Sequence, residues 1–337
     1  MIAWQITKQN EINKINITEN LEHVDDVKVK VTKCFITRQD ISTFAKMGKS
    51  QNAIIPGQIA IGQITETLQD SNYFKKNTKV YISPEKPCKA CANCLAGNEL
   101  NCTNMQFAAR DFSGYLKEFA VINKEEANIL PPNVTEYDAL FIHDISIALS
   151  IIDKLKVNKG EHVAILGGTI FANILAQLIA YYQAVPIIID SNEKNLQLAQ
   201  ANGIYYAINA DKNLEKEFIN ITGGRKCRKL VYVTESGISF DYVGKLSATN
   251  AVVGVSGFTG SKVKMNIDIG LEKQLIVKFI TCGYGNCSAS INLLAQKAVN
   301  LSNFKIPEYK FDYVNKQFEN FAKHDETEPQ EFIVNLI

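Results

Sequence analysis

No apolar run in this 337-residue chain reaches the roughly 18 residues that a membrane helix needs. Charge of one sign does not prevail either: 36 Lys and Arg stand against 35 Asp and Glu, a formal net charge of +1. So close a balance argues against nucleic acid and against an anionic membrane as partners. The first residues, MIAWQITKQNEINK, lack the basic-then-apolar pattern of a secretory signal, and the expected location is cytoplasmic. There is no internal repeat and no low-complexity linker. Cysteine is scarce, with eight residues in all. In a reducing compartment a cluster of cysteines points to metal rather than to disulfides.

What is present suits a globular protein. The chain is 46% hydrophobic and 21% charged, and it is too long for one ordinary core, so two domains are expected. Up to about residue 130 the pattern is mostly β. Residues 27–36, VKVKVTKCFI, alternate apolar and polar as a half-buried strand does. Residues 53–66 (AIIPGQIAIGQITE), 78–83 (TKVYIS) and 115–122 (YLKEFAVI) read as further strands, which predicts a small, irregular, barrel-like domain. Residues 136–156 read as helical. From 162 the chain alternates strand and helix through HVAILGG, ANILAQLIAYYQA, VPIIID and EKNLQLAQANG; KLVYVT, AVVGVSG and KQLIVKFITCG then read as buried strands. Short continuous apolar strands separated by helices predict a parallel sheet covered on both faces, from about 150 to 284. The last fifty residues read as a helix (INLLAQKAVNL), a strand-like piece (YKFDYV) and a second helix (FENFAKH).

Four of the eight cysteines, Cys88, Cys91, Cys94 and Cys102, fall in PCKACANCLAGNELNC with the spacing C-x2-C-x2-C-x7-C. Zinc favours four thiolates in a tetrahedron, and a site closed by four protein ligands has no open position for substrate. One structural zinc per chain is therefore expected, in a lobe that Asn93, Gly97 and Asn98 allow to turn tightly.

A β domain, a four-cysteine lobe and a dinucleotide-type domain in this order resemble the medium-chain, zinc-containing alcohol and polyol dehydrogenases, the group that includes sorbitol and threonine dehydrogenases. SGYLKEFAVI at 113–122 is similar to the family's G-F-A-E-Y-V strand, and KGEHVAIL and IIIDSNEKNLQLAQANGI flank a glycine turn as in the family. The resemblance implies an α/β fold. A GroES-like β domain would comprise residues 1–148 with 286–337 and carry the zinc lobe at 87–103. A Rossmann domain with a doubly wound parallel sheet would comprise 149–285. It further implies an active cleft between the domains, NAD(H) as cofactor, a small alcohol or carbonyl substrate, and a homodimer or homotetramer whose sheet extends across a two-fold axis through residues 274–280.

The catalytic stretches depart from the family. Where it reads C-G-x-D-x-H, this chain reads TRQDIS at 37–42. Thr37 stands at the cysteine ligand, Gln39 at the position of a proton-relay Ser or Thr, and Asp40 is kept. G-H-E-x-x-G becomes GQIAIG at 57–62, with Gln58 at the His and Ile59 at the Glu. E-P-L-A-V-A becomes HDISIA at 143–148, with His143 at the carboxylate and Asp144 at the proline. A threonine hydroxyl and a glutamine amide are weak zinc donors, and one imidazole does not hold the ion, so no catalytic zinc is expected. His143 becomes the candidate acid/base, with Thr37, Gln39 and Gln58 as hydrogen-bond partners. The alternative is that His143 is an ordinary hydrogen-bonded residue.

The G-x-G-x-x-G turn reads GGTIFA, residues 167–172. Gly167 keeps the first position, Gly168 follows, Thr169 takes the second glycine position and would crowd a phosphate, and Ala172 takes the third. With Ile170 and Phe171 these residues open a helix whose N-terminus can attract an anion. Asp190, 23 residues after Gly167, stands where an acid binds the adenosine ribose, which favours NAD over NADP; alternatively it caps the next helix. Two other readings stay open. One is a catalytically silent relative that acts by binding or assembly. The other is a zinc-free quinone reductase type, whose members usually lack the cysteine lobe. Cys34 faces away from Thr37 as a core residue. Cys227, Cys282 and Cys287 are scattered, and packing or surface positions are expected for them.

Overall fold

The computed structural model describes residues 1–48, 51–68, 73–257, 263–323 and 331–336. The chain divides into two compact units: Met1–His143, Cys287–Ala295 and Lys305–Ile337 in one, and Asp144–Asn286 with Gln296–Phe304 in the other.

The first unit is built on a sheet whose strands run, in spatial order, Glu308–Lys310, Phe332–Asn335, Asp26–Ile36, Ile59–Thr67, Lys79–Ile82 and Ala127–Ile129, while Phe119–Asn123 also pairs with Asp26–Ile36. Val27, Val29 and Val31 point into the core, as the alternation of the segment requires. Register then matters for function. Phe35 pairs with Ile59, and Ala60 pairs with Ile82. The chain therefore leaves one strand at Thr37, enters the next from Gln58 and leaves the third towards Glu85, all at one end of the sheet.

Several local expectations shift. Within 53–66 the regular strand starts only at Ile59, because Pro56 lacks an N–H and Gly57 sits at φ +92°. Within 115–122 it starts at Phe119; the N–H groups of Tyr115 and Leu116 bond instead to the carbonyls of Gly57 and Pro56. A hairpin, Ile2–Lys8 with Glu11–Asn16, and the strand Phe332–Asn335 add to the expected elements. The helix expected over FENFAKH is Val314–Phe321, and His324 lies outside the described residues.

In the second unit six parallel strands lie in the order Tyr206–Asn209, Val185–Asp190, His162–Leu166, Cys227–Val233, Ser247–Ser256, Ile276–Phe279. This is the 3-2-1-4-5-6 order of the doubly wound dinucleotide fold, and its switch point lies between His162–Leu166 and Cys227–Val233. One strand departs from expectation. The apolar run KQLIVKFITCG predicts a buried strand, but Ile276–Phe279 is an edge strand with Ile276 52% and Phe279 72% exposed. A run of amides ties Gln296–Phe304 to this unit. Gln177 exchanges two hydrogen bonds with the Asn300 backbone, Asn303 donates to Asn202, Asn202 to Asn173, and Asn173 to the carbonyls of Gly168 and Thr169. The glycine turn is thus braced from within its own unit.

Candidate functional site

Thr37 opens the helix Arg38–Lys46 and forms a capping box with Asp40. The Asp40 carboxyl is buried and joins two loops. Its Oδ2 accepts from Thr37 N at 2.9 Å and Thr37 Oγ1 at 3.0 Å, and its Oδ1 accepts from Gly57 N at 2.8 Å. The Gln58 N–H adds a further bond. Burial pushes the carboxyl from an ordinary 3.8 to about 6, against the N–H groups that hold it down. Beneath this junction Cys34 is buried, and a Cβ on Gly57 would overlap its sulfur. Thr37, Gln39 and Gln58 are half-buried. The structure thus brings Thr37 and Gln58 together, but through Asp40: the Thr37 hydroxyl is committed to that carboxylate and not to His143.

His143 lies in the first turn of the helix Ile142–Leu155 and is only 8% exposed. Its Nδ1 is 3.9 Å from Oε1 of Glu85, which is 4% exposed. Burial pushes the imidazole below its ordinary value, and the Glu85 charge pulls it partly back. Glu85 has no counterpart among the sequence-derived candidates; only the tertiary register reveals it.

The cysteine lobe closes as expected. Cys91 is the N-cap of the short helix Ala92–Leu95, which carries Cys94. Gly97 adopts φ +74°, and the Asn93 side chain donates to the Asn101 carbonyl at 2.6 Å. The four sulfurs lie within 4.8 Å of one another, with Cys91–Cys94 at 3.5 Å and both Cys88–Cys94 and Cys91–Cys102 at 4.0 Å. A tetrahedron with Zn–S bonds of about 2.3 Å has edges of about 3.8 Å, whereas a disulfide requires about 2.05 Å. The spacing matches the metal site. Backbone N–H groups support the sulfurs, from Cys88 to Cys102 at 3.3 Å and from Cys91 to Cys88 at 3.4 Å. The N–H groups of Cys94 and Thr103 hold the Cys91 thiol down to about 5, while Cys94 is pushed up to about 12 by burial and its sulfur neighbours. A divalent cation would relieve that crowding by stabilising all four thiolates. Among the described residues this is the one cluster of His, Cys, Asp or Glu that could hold a metal.

In the second unit Gly167 (φ +116°) ends the first parallel strand at the switch point, and a Cβ there would lie 2.5 Å from Cβ of Ser236. Gly168 donates to Asp190 Oδ2 at 2.5 Å. Thr169 is the N-cap of Ile170–Tyr181, and its hydroxyl accepts from Ala172 N at 3.2 Å. Ile170 and Phe171, at the first two helical positions, have no intrahelical carbonyl for their N–H groups. Asp190 is buried; it also accepts from Asn192 N at 2.7 Å and from the Asn195 side chain at 3.1 Å. Both its oxygens serve the turn and the following helix, whose N-cap is Asn192.

Comparison with known proteins places this geometry. The alcohol dehydrogenase GroES-like domain family matches residues 23–132. An uncharacterized zinc-type alcohol dehydrogenase-like protein of Haemophilus influenzae is 21% identical over 90% of this chain and 89% of its own length. Sorbitol dehydrogenase of Halalkalibacterium halodurans is 22% identical over 87% of each chain. Residues 23–132 thus match the alcohol dehydrogenase GroES-like domain, and the chain as a whole is similar to medium-chain zinc alcohol and polyol dehydrogenases. A solved structure of a short chain alcohol dehydrogenase from Escherichia coli CFT073, complexed with NADH, shares the fold with a TM-score of 0.85 at 18% identity, covering 100% of this chain and 99% of that one. The four-cysteine lobe has the spacing of a metal site. The residues expected from the resemblance at the catalytic ligand positions, Thr37, Gln58 and His143, offer a committed hydroxyl, an amide and one imidazole, a donor set that does not fit zinc.

Proposed function

We propose that this protein is an NAD(H)-dependent oxidoreductase that moves hydride between its cofactor and a small alcohol or carbonyl compound, with no zinc at the catalytic position. The donor set carries this reading: of Thr37, Gln58 and His143, only His143 exchanges a proton near neutral pH. Zinc would polarise the substrate oxygen as a Lewis acid. In its place His143 takes the hydroxyl proton during oxidation and returns it during reduction. NAD(H), when bound, supplies the nicotinamide that accepts or donates the hydride. The N–H groups of Ile170 and Phe171 suit its phosphates, and the Asp190 charge disfavours a 2′-phosphate. The NADH carried by the related solved structure supports the same cofactor class.

A second reading, a catalytically silent relative that acts by binding or assembly, draws support from the turn. Thr169 caps its own helix and Asp190 has both oxygens engaged. Titration with NADH and NADPH separates the two. Saturable NADH binding, with turnover that survives mild chelation and falls sharply in His143→Ala, supports the oxidoreductase. Failure of both nucleotides to bind at millimolar concentration supports the silent protein. In either case the partner at the edge strand is a second copy of this chain. Ile276 and Phe279 are exposed there, as are Ile267 and Leu271 on the helix Ile267–Lys273, and an unpaired edge invites another strand.

A further inference from the structure

Glu85 belongs to none of the motifs that define the family resemblance, yet it is a buried carboxylate facing the one candidate acid/base. Its backbone is fixed on both sides. Ser83 N bonds to the Glu126 carbonyl, Ala108 N bonds to the Pro84 carbonyl, and Glu85 itself pairs with Phe107 across a two-residue ladder. His143 is equally confined, because Phe141 and Ile142 before it are fully buried and the helix begins there. Two rigid elements therefore hold Oε1 and Nδ1 at 3.9 Å, and a side-chain movement of about 1 Å closes the gap to a hydrogen bond. His143 Nδ1–H is a donor within that reach, and a carboxylate oxygen can accept more than one hydrogen bond. The Cys287 thiol also feels the Glu85 charge, which together with burial pushes it up to about 12, so it stays neutral beside the pair.

We propose that Glu85 is the positioning residue for His143: its carboxylate accepts Nδ1–H and fixes the neutral ring with Nε2 as the atom that exchanges a proton with substrate. The role in turnover rests on the oxidoreductase reading; the pairing itself does not. In oxidation, Nε2 takes the hydroxyl proton and the O–H electron pair becomes the second C–O bond as the carbon-bound hydrogen departs with its electron pair; bound NAD would supply the hydride acceptor. The imidazolium that forms keeps Nδ1–H on Glu85, which stabilises its charge, and later releases the Nε2 proton to solvent. Reduction runs the same transfers backwards. The arrangement follows the general logic of a carboxylate that selects a histidine tautomer.

The test is 15N NMR of the zinc-loaded full chain labelled at histidine, without nucleotide, with His143→Gln used for assignment. The expected wild-type spectrum shows Nδ1 protonated and Nε2 unprotonated at pH 7.5. In Glu85→Gln the two tautomers mix and the imidazole pKa falls. Turnover in that variant drops about tenfold or more in kcat with KM little changed. An Nε2–H tautomer in the wild type, or a tautomer ratio and pKa untouched by Glu85→Gln, overturns the proposal. If Glu85→Gln fails to fold, the wild-type spectrum alone decides. A wild type that shows the Nδ1–H tautomer but no dehydrogenase turnover supports the pairing while sinking the oxidoreductase reading.

Discussion

Replacing Asp40 by asparagine tests whether the junction that joins Thr37 to Gly57 and Gln58 is as buried as the structure shows. The folded carboxyl titrates at about 6 and the unfolded one near 3.8. Between those values the native state binds more protons than the unfolded state, so the stability Asp40 contributes is full below 3.8 and is lost as pH rises through about 6. Integrated from pH 7 down to pH 5, the linkage gives the wild type a gain of about 1.3 kcal/mol that an asparagine cannot supply. Superimposed on it is a penalty of about 1–3 kcal/mol, because an amide NH2 group replaces an oxygen that the N–H groups of Thr37 or Gly57 now meet. Trp4, the only tryptophan, is buried in the same unit and reports its unfolding. Urea denaturation of both proteins, followed by tryptophan fluorescence from pH 5 to 7.5 with zinc present, measures the difference. The gap between wild type and Asp40→Asn should widen by about 1.3 kcal/mol at pH 5 relative to pH 7. A gap that stays constant, or widens as pH rises, would refute the raised carboxyl and the buried junction with it.

Other consequences are simpler to read. Thr169→Gly removes the β-branched side chain from the turn and costs only a few tenths of a kcal/mol as an N-cap; NADH should bind several-fold more tightly by fluorescence titration, and weaker binding would show that the hydroxyl serves the cofactor. Phe279→Lys places a charge on the exposed edge strand where pairing with a second copy is proposed, and sedimentation should show a smaller assembly than the wild type while zinc content is unchanged; an assembly of unaltered size would overturn pairing at this edge. Because His143 is pushed below its ordinary value by burial, its neutral state adds stability that is present above about 6.5 and lost as pH falls through the lower folded value. His143→Gln should flatten that acid limb in the unfolding profile of the first unit, and an unchanged limb would assign it to other groups.

Much of this molecule could be read from the chain because the deciding signals are local. The cysteine spacing within 88–102 closes a tetrahedron with no help from distant residues. The central parallel strands, buried on both faces, announce themselves as unbroken apolar runs. The same signal misled at 274–280, since an apolar run records burial without saying whether this chain or another provides it. The hairpin at the start gives no strand signal because its second strand, EINKIN, is polar, and it turns at Asn10 with φ +56°. Inside the candidate site the limits are tertiary. Asp40 was recognisable as a kept residue, but its bond to Gly57 depends on strand register. The meeting of Glu85 with His143 depends on how a two-residue ladder faces the start of a helix.

Where zinc sits is the central question. Metal analysis of the purified chain, with zinc-edge absorption spectroscopy on the same sample, measures both the count and the ligands. The expected result is one zinc per chain in an all-sulfur shell at about 2.3 Å, lost together on treatment with a strong chelator. Two zincs per chain, or a nitrogen and oxygen shell that disappears in His143→Gln, would contradict it.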